Sequence, residues 1–473
     1  MSETIRKVIS ERVVVANFFS SRFSGVHESI RISPDKSRVA YVGFRKNKRF
    51  LVVNAEEQKL YDGIAEGTPI FSPDSKRIAY GAKLGKKWVI VRDGKEGKPY
   101  DGIMKGTPVF SNDGNRIAYG ALTGKLFGFS TKAQDYLRRS HMAWGNIFKA
   151  KWSLIVDGKQ DRYYNEISIP VFSPNNQHIV YTARKGKKWI VVLDGKEQKE
   201  YDDIGEGTPI FSPDSNHVAY VAKLVNKSIL VVDEKEGNQG DRMDGLPVFS
   251  PDSKHLGYVA GFGKKHCVVL DQKEEKKYRE ILAGSPAFSP DSSNTAYGAF
   301  TGDGWNMVIN SEEGKQYKAI PPISDNNPIF SPNSKRVAYS ALTTRNKSIV
   351  VVDGSEYGEY DDVMQDTPVF SPDSKHVAYV VKKVKKWAVV VDGHEHKEYD
   401  GIGAGSVVFS PDSNQIAYFA EVGNKWLAVL NEEEGQQYDS FVPVVGFVFT
   451  QFDQFGYWVQ KGTDMYFVEE RIG

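Results

Sequence analysis

One cysteine, Cys267, stands in a chain of 473 residues. A single thiol excludes an intrachain disulfide framework and any zinc site built on thiolates, and nothing calls for an oxidising compartment. Long apolar runs are also missing: the longest near the N-terminus is Val13–Ala16, too short for a signal-peptide core or a membrane span. An excess of one charge is missing too. The 62 Lys and Arg nearly balance the 60 Asp and Glu, leaving +2, so the surface as a whole is no electrostatic footprint for nucleic acid or an anionic membrane. A G-x-S-x-G elbow, the setting of a hydrolase serine, does not occur. The expectation is a soluble cytoplasmic protein, or a periplasmic one if an export signal has been removed.

What the sequence has in abundance is itself. Gly67–Tyr80 reads GTPIFSPDSKRIAY, and Gly207–Tyr220 reads GTPIFSPDSNHVAY. The serine before Pro-Asp marks the unit, at positions 33, 72, 111, 173, 212, 250, 289, 331, 371 and 410, with Thr450 in a degenerate eleventh copy. Spacings lie between 38 and 42 apart from one of 62. A period near 40, filled with β-branched and aromatic residues, is the signature of a four-stranded propeller blade, not of a helical repeat.

Turn chemistry places the strands of one unit. Thr68–Ser72 reads as the inner strand, with Pro69 at its start where no ladder donor is lost. Pro73–Lys76 is a turn. Arg77–Lys83 reads as the second strand, Lys87–Asp93 as the third and Lys98–Ile103 as the outer strand. Asp-Gly at 93, and again at 157, 194, 353 and 392, is a hairpin signal. Eight residues after each marker stands a tyrosine, from Tyr41 and Tyr80 to Tyr418, with Trp458 in the last unit. A small residue precedes it, Ala in most units, Val180 and Gly257 in two. Large beside small at a fixed strand position lets neighbouring sheets interdigitate.

FSPDSKRIAY and its copies resemble the Pro-Asp variety of the WD-type propeller repeat found in TolB and in the propeller domains of several peptidases. Ten units carry the likeness, over nearly the whole chain from about Arg31. The resemblance implies an all-β propeller fold. TolB is exported and has an extra N-terminal domain, and the peptidase relatives have a hydrolase domain; neither segment is expected here, so neither the transport role nor the peptidase activity is carried over.

The last unit lacks an outer strand after "DMYFVEERIG", and Glu11–Phe19, "ERVVVANFF", is β-rich with no unit of its own. The expectation is a single large β-propeller of about eleven four-stranded blades over residues 1–473, closed by pairing of the 11–19 strand with the C-terminal blade. The alternative is two smaller propellers in tandem.

Candidate chemistry is sparse. His178, His217, His255 and His376 occupy one repeat position that elsewhere holds Arg38, Arg77, Arg116, Asn294, Arg336 and Gln415, which reads as a polar surface slot. His394 and His396 alternate on a strand and are able to chelate a metal, but no third ligand lies near in sequence, so they read as exposed loop residues. His266 and Cys267 replace Trp-Val of other units and read as packing. The glycine-rich turns "GIGAGS" and "GIAEGTP" lead into strands, not helices, which removes the phosphate-loop reading. Tyr-Asp pairs at 61, 100, 201, 360, 399 and 438 precede these turns; they form either a carboxylate collar for cations and basic partners or simple turn aspartates. No catalytic residue, metal site or cofactor is assigned.

The 62-residue spacing is the exception. Its extra residues fall between the second and third strands of the third unit, within Thr123–Lys151, which carries a net charge of +5 and leaves −3 on the rest of the chain. Thr131 with Gln134 makes a capping box, and Gly145 a stop, so a helix is expected over Lys132–Trp144. Basic and aromatic residues mix there as in interface hot spots: Lys125, Phe127, Phe129, Lys132, Tyr136, Arg138, Arg139, His141, Trp144 and Phe148. These are the candidate partner-binding residues of a non-enzymatic protein-interaction scaffold or regulatory binding subunit. A protein partner is expected, nucleic acid and membrane are not, and the oligomeric state stays open. The alternative function is small-ligand binding or hydrolase or lyase chemistry in a propeller channel.

Overall fold

In the computed structural model, which describes residues 6–15, 29–124, 150–321, 328–441, 446–451 and 454–472, each repeat becomes one antiparallel sheet, and there are eleven such sheets among the described residues. The Pro-Asp turn decides where each one starts. Ser72 Oγ accepts the Arg77 N–H at 2.9 Å and donates to Asp74 Oδ1, whose oxygen in turn accepts the Lys76 N–H at 3.1 Å. A six-residue turn is thereby filled with its own hydrogen bonds, and the chain reverses from the inner strand into the second. The same serine is fully buried in ten units, from Ser33 to Ser410.

The inner strand is longer than the sequence indicates, and the outer strand shorter. Gly63–Ile64 and Ile70–Phe71 both pair with Ile78–Leu84, so the inner position is held in two pieces around a loop with a cis peptide at Thr68-Pro69. Lys87–Arg92 follows as the third strand. Lys95–Glu96 and the bridge between Tyr100 and Trp88 form the outer one. The expected outer strand Lys98–Ile103 in fact spans two sheets: Tyr100 still pairs with Trp88, whereas Gly102–Ile103 already pairs with Ala121 and Leu122 of the next unit. The crossing falls at Asp101, whose N–H reaches Leu122 O at 2.9 Å.

Asp93 and Gly94 both adopt positive φ, 49° and 76°, as a type I′ hairpin requires. Asp93 adds a second duty, its Oδ1 accepting the Ile78 N–H at 2.9 Å. The same bond recurs from Asp157, Asp194, Asp353 and Asp392, and from Asn310 and Asn431 where asparagine replaces aspartate.

Alternation along the second strand sends the small and large residues to opposite faces. Tyr80 packs with Ala40, Val42 and Leu51 of the preceding sheet, whereas Ala79 packs with Tyr100, Tyr119 and Ile155 on the following side. In eight units this tyrosine meets a second one from the outer strand before it, edge to face, as Tyr61 does with Tyr80 at 6.0 Å and 75°, Tyr201 with Tyr220 at 6.1 Å and 71°, and Tyr399 with Tyr418 at 6.2 Å and 72°. This geometry suits the ring quadrupoles and adds about 0.5–1.5 kcal/mol per pair beyond burial. The outer-strand hydroxyl is satisfied across the same gap, with Tyr61 donating to Glu96 at 2.9 Å and Tyr278 to Glu313 at 2.8 Å.

The chain divides into two compact units, 21–239 and 1–20 with 240–473. The first holds five of the sheets and the second six. In the second unit the last sheet is completed from the other end of the chain. Gln454–Lys461 and Asp464–Ile472 are its second and third strands, and Arg6–Val15 lies antiparallel to Asp464–Ile472 as the outer strand. Pairing begins five residues earlier than the expected 11–19 strand, because a backbone ladder accepts the charged stretch RKVISER as readily as the apolar one; residues 16–19 lie outside the described residues. Ser10 Oγ donates to Glu469 at 2.6 Å and Lys461 meets Glu11 at 3.3 Å. Within each unit successive antiparallel sheets stack face to face, and in the second a strand from the other end of the chain completes the last sheet, an all-β fold of the propeller type.

Two predictions follow from these contacts. Removing residues 1–15 exposes the ladder edge of Asp464–Ile472, so the truncated chain should melt at lower temperature and self-associate; an unchanged melting temperature with a monomeric sedimentation profile would contradict the role of this strand. The turn carboxyls supply the second. Hydrogen bonds from the serine hydroxyls, then from backbone amides, hold Asp113, Asp214 and Asp252 down to about 2 from the ordinary 3.8. A carboxyl lowered in the folded chain contributes stability above its unfolded value, and that contribution is lost as pH falls through about 2. Unfolding midpoints should therefore drop between about pH 4 and pH 2, and the chain carrying Ser111→Ala and Ser250→Ala should show a shallower drop.

Candidate interaction face

Every sheet among the described residues presents the hairpin between its second and third strands at one end, and in seven of them that tip is held by an aspartate from the crossing segment. Asp62 shows the arrangement. Its Oδ2 accepts the Gly85 N–H of the next tip at 2.7 Å, and its Oδ1 receives Lys48 Nζ of the preceding hairpin at 2.5 Å. Asp202 repeats it with Val225 N–H and Lys188, Asp361 with Val384 N–H and Lys347, Asp400 with Gly423 N–H and Lys386, and Asp439 with Gly462 N–H and Lys425. The lysine, then the backbone amide, holds each of these carboxyls below its usual range.

The Tyr-Asp pairs are therefore ties between neighbouring hairpins, and their carboxylates are already engaged. Sequence reasoning found the aspartates but missed their lysines, although the signal was in view as a Lys at the start of most third strands, fourteen residues upstream of the aspartate. It also missed Asn165 and Asp241, which cap Gly186 and Gly263 in the same way at 3.1 and 2.7 Å.

The third unit keeps this framework. Ile117–Thr123 pairs with Lys151–Val156 up to a last pair of Thr123 with Lys151. Asp101 Oδ2 accepts the Gly124 N–H at 3.0 Å, and its other oxygen receives Lys87 at 2.7 Å. Residues 124–150 thus stand where Gly85-Lys86 stands in the second unit, rooted on a capped hairpin. The candidate partner-binding residues Lys125, Phe127, Phe129, Lys132, Tyr136, Arg138, Arg139, His141, Trp144 and Phe148 lie outside the described residues, as does the expected Lys132–Trp144 helix.

Two tips carry valine. Val225 and Val384 take the position of glycine at φ 55° and stand 86% and 82% exposed. A β-branched residue is a steric outlier in the left-handed region.

The histidine slot has a definite job. His178, His217, His255 and His376 each place Nδ1 2.6–2.7 Å from the aspartate that closes their own sheet's hairpin, Asp194, Asp233, Asp271 and Asp392. Arginines in that slot reach further. Arg38 donates to Ser75 O and Lys76 O of the next unit, Arg336 to Ser374 O and Lys375 O, and both guanidinium groups lie over the next inner-strand phenylalanine. Cys267 is buried as packing, its thiol pushed up to about 11 chiefly by burial. His266 sits between Asp244 and Arg242. One expectation fails here: His394 is an exposed residue, but His396 is buried, with only 7% of its side chain accessible. Tyr418 and Glu432 of the next sheet cover it. Among the described residues no set of three His, Cys, Asp or Glu side chains is assembled to hold a metal ion.

The left-handed valines yield a prediction. Val384→Gly removes a steric penalty without removing a contact, and should raise stability by about 1 kcal/mol in denaturant unfolding. A loss of stability would show that the valine is held there by packing.

No protein-family model matches the chain, and no curated protein does. Solved structures do. A crystal structure of a eukaryotic initiation factor shares 13% identity over 71% of this chain and 88% of that one, at a TM-score of 0.37. The β-propeller domain of the Trilobed protease from Pyrococcus furiosus shares 14% over 71% and 94%, at 0.27. TolB from Acinetobacter baumannii shares 14% over 62% and 76%, at 0.24.

Proposed function

We propose that this protein is a non-enzymatic scaffold that binds another protein through the hairpin face and the segment inserted in its third unit. The observation that carries the reading is the root of that segment. Thr123 pairs with Lys151, and Asp101 caps Gly124, so the insertion departs from the same tied hairpin that the second unit closes in two residues, Gly85-Lys86. An insertion that leaves its host hairpin undisturbed is free to be selected for what it contacts. Its composition fits a protein surface: a charge of +5 over Thr123–Lys151 and five aromatic residues in a chain otherwise at −3. Arg and aromatic side chains dominate interface hot spots, while the basic charge accelerates encounter with an acidic partner. The stacked sheets beneath supply rigidity, which lowers the ordering cost of binding.

The test replaces residues 124–150 by Gly-Lys, the tip found at Gly85-Lys86. The shortened chain should keep its melting temperature, because the hairpin below it is complete. Both proteins are used as bait in lysate of the native organism, and whatever the full chain captures is purified and titrated against both. A partner bound at least about tenfold more weakly by the shortened chain, a difference of about 1.4 kcal/mol, supports the reading. Equal affinity for the two baits would move the binding surface elsewhere.

A further inference from the structure

At the ends of the sheets opposite the hairpin face, where the Pro-Asp and Asp-Gly turns lie, arginine ties three units to the turn that follows. Arg336 shows the full arrangement. Its Nε donates to Asp353 of its own sheet at 2.9 Å, and its Nη1 donates to Ser374 O and Lys375 O of the next turn at 3.3 and 2.7 Å. The guanidinium lies 5.2 Å from the centre of the Phe370 ring. Arg38 and Arg116 lie over Phe71 and Phe172 in the same way, both at 5.1 Å, and donate to the carbonyls of Ser75 and Lys76 and of Asn176 and Gln177.

One unit beyond Arg336, His376 takes the arginine's place. Its ring turns to its own sheet, with Nδ1 2.6 Å from Asp392, and stays 6.5 Å from the Phe409 ring. Ser413 and Asn414 hold the positions of Ser374 and Lys375, but an imidazole engaged with Asp392 is too short to reach their carbonyls. The space that a guanidinium fills elsewhere is here a cleft of about 230 Å³, lined by His376, Phe409, Ser413, Asn414, Gln415 and Glu432.

Two more groups in the cleft lack the same thing, a cationic donor. Gln415 Oε1 is buried without a hydrogen-bond partner, and a buried acceptor left unmet costs its full desolvation. Glu432 has no lysine or arginine at hand: among the described residues its ion-pair neighbours are the rings of His394 and His396, each at 3.9 Å.

We propose that this cleft binds a guanidinium group from outside the chain, carried by an arginine side chain of a partner protein or by a free guanidino compound. A guanidinium is a planar, permanently charged fork of five donors that also packs on aromatic faces. The cleft gathers two backbone carbonyls, an amide oxygen, a carboxylate and a phenylalanine, which are the contacts Arg336 makes plus a counter-charge. A compact, strongly hydrated ammonium cannot span them. The volume falls below the roughly 300–1,000 Å³ of pockets for larger ligands and suits a single functional group. Because this end of the sheets is the one opposite the hairpin face, the assignment stands apart from the role proposed above for that face.

The chain contains its own control. His178 empties the same slot, with Nδ1 2.7 Å from Asp194, but the accessory groups are changed. His217 stands where Gln415 does, and Glu234, in the place of Glu432, is taken by Lys196 at 3.0 Å.

The test measures fluorescence anisotropy of a labelled glycine pentapeptide with one central arginine, titrated with the full chain. Peptides with lysine or citrulline at the centre are run in parallel, and free arginine serves as competitor. The expected result is one arginine peptide per chain, with the lysine and citrulline peptides at least about tenfold weaker. Displacement by free arginine at comparable concentration assigns the site to a small guanidino compound; displacement only by unlabelled peptide assigns it to a partner's side chain. His376→Arg supplies the missing guanidinium from within, so it should abolish peptide binding and raise the melting temperature. Glu432→Gln should weaken binding at least about fivefold, and His178→Ala should leave it unchanged. No saturable binding below about 10 mM, equal affinity for the lysine peptide, or undiminished binding by the folded His376→Arg chain would each overturn the assignment.

Discussion

Edge-to-face contact between two tyrosines of successive sheets is the constraint from which the rest of the repeat follows. One ring comes from the end of an outer strand and the other from the middle of the next second strand, so the pair fixes both the spacing and the stagger of two sheets. Once that is set, the small residue before the second-strand tyrosine must face the other way, the outer-strand hydroxyl must find a glutamate across the gap, and the crossing aspartate must land beside the next hairpin tip. Each of these is a short-range consequence of one packing distance. The sequence repeats because the interface does.

Polar ties reinforce the same gap from rim to rim. At one end, aspartates join a lysine of one sheet to a tip amide of the next. At the other, the second serine of the Pro-Asp turn accepts a backbone N–H from the unit before it, as Ser75 does from Asp35 and Ser413 from Asp373. Exposed ion pairs of this kind contribute little each, whereas buried hydroxyl bonds to backbone amides are costly to lose. The apolar layer therefore supplies most of the stability, and the polar rims set the angle at which one sheet meets the next.

Much of this was legible beforehand because it repeats. A period near 40, the Asp-Gly turns, the invariant tyrosine and the missing last outer strand each point to the observed sheets. What escaped was the boundary between units. Residues 98–103 look like one strand, since Tyr100, Gly102 and Ile103 all suit β structure, yet pairing changes sheets at Asp101. Local propensity carries no record of which neighbour a strand pairs with. The buried state of His396 was equally hidden, because what covers it are Tyr418 and Glu432, contributed by the next unit. The lysines that complete the aspartate caps were visible in most copies, but a lysine at the start of a strand looks like an ordinary solvated charge until its partner from the next crossing is placed beside it.

The strand exchange in the last sheet also sets a timetable. Ser10 and Glu469, which bond across it, are 459 positions apart. At about 5–20 residues per second, a ribosome needs roughly 20 to 90 seconds to separate their syntheses. Through that interval the first strand waits unpaired while sheet after sheet forms behind it. Arg6, Lys7, Glu11 and Arg12 punctuate its apolar residues, and charges on a waiting edge discourage pairing with other nascent chains. These charges keep the segment available until its partner arrives.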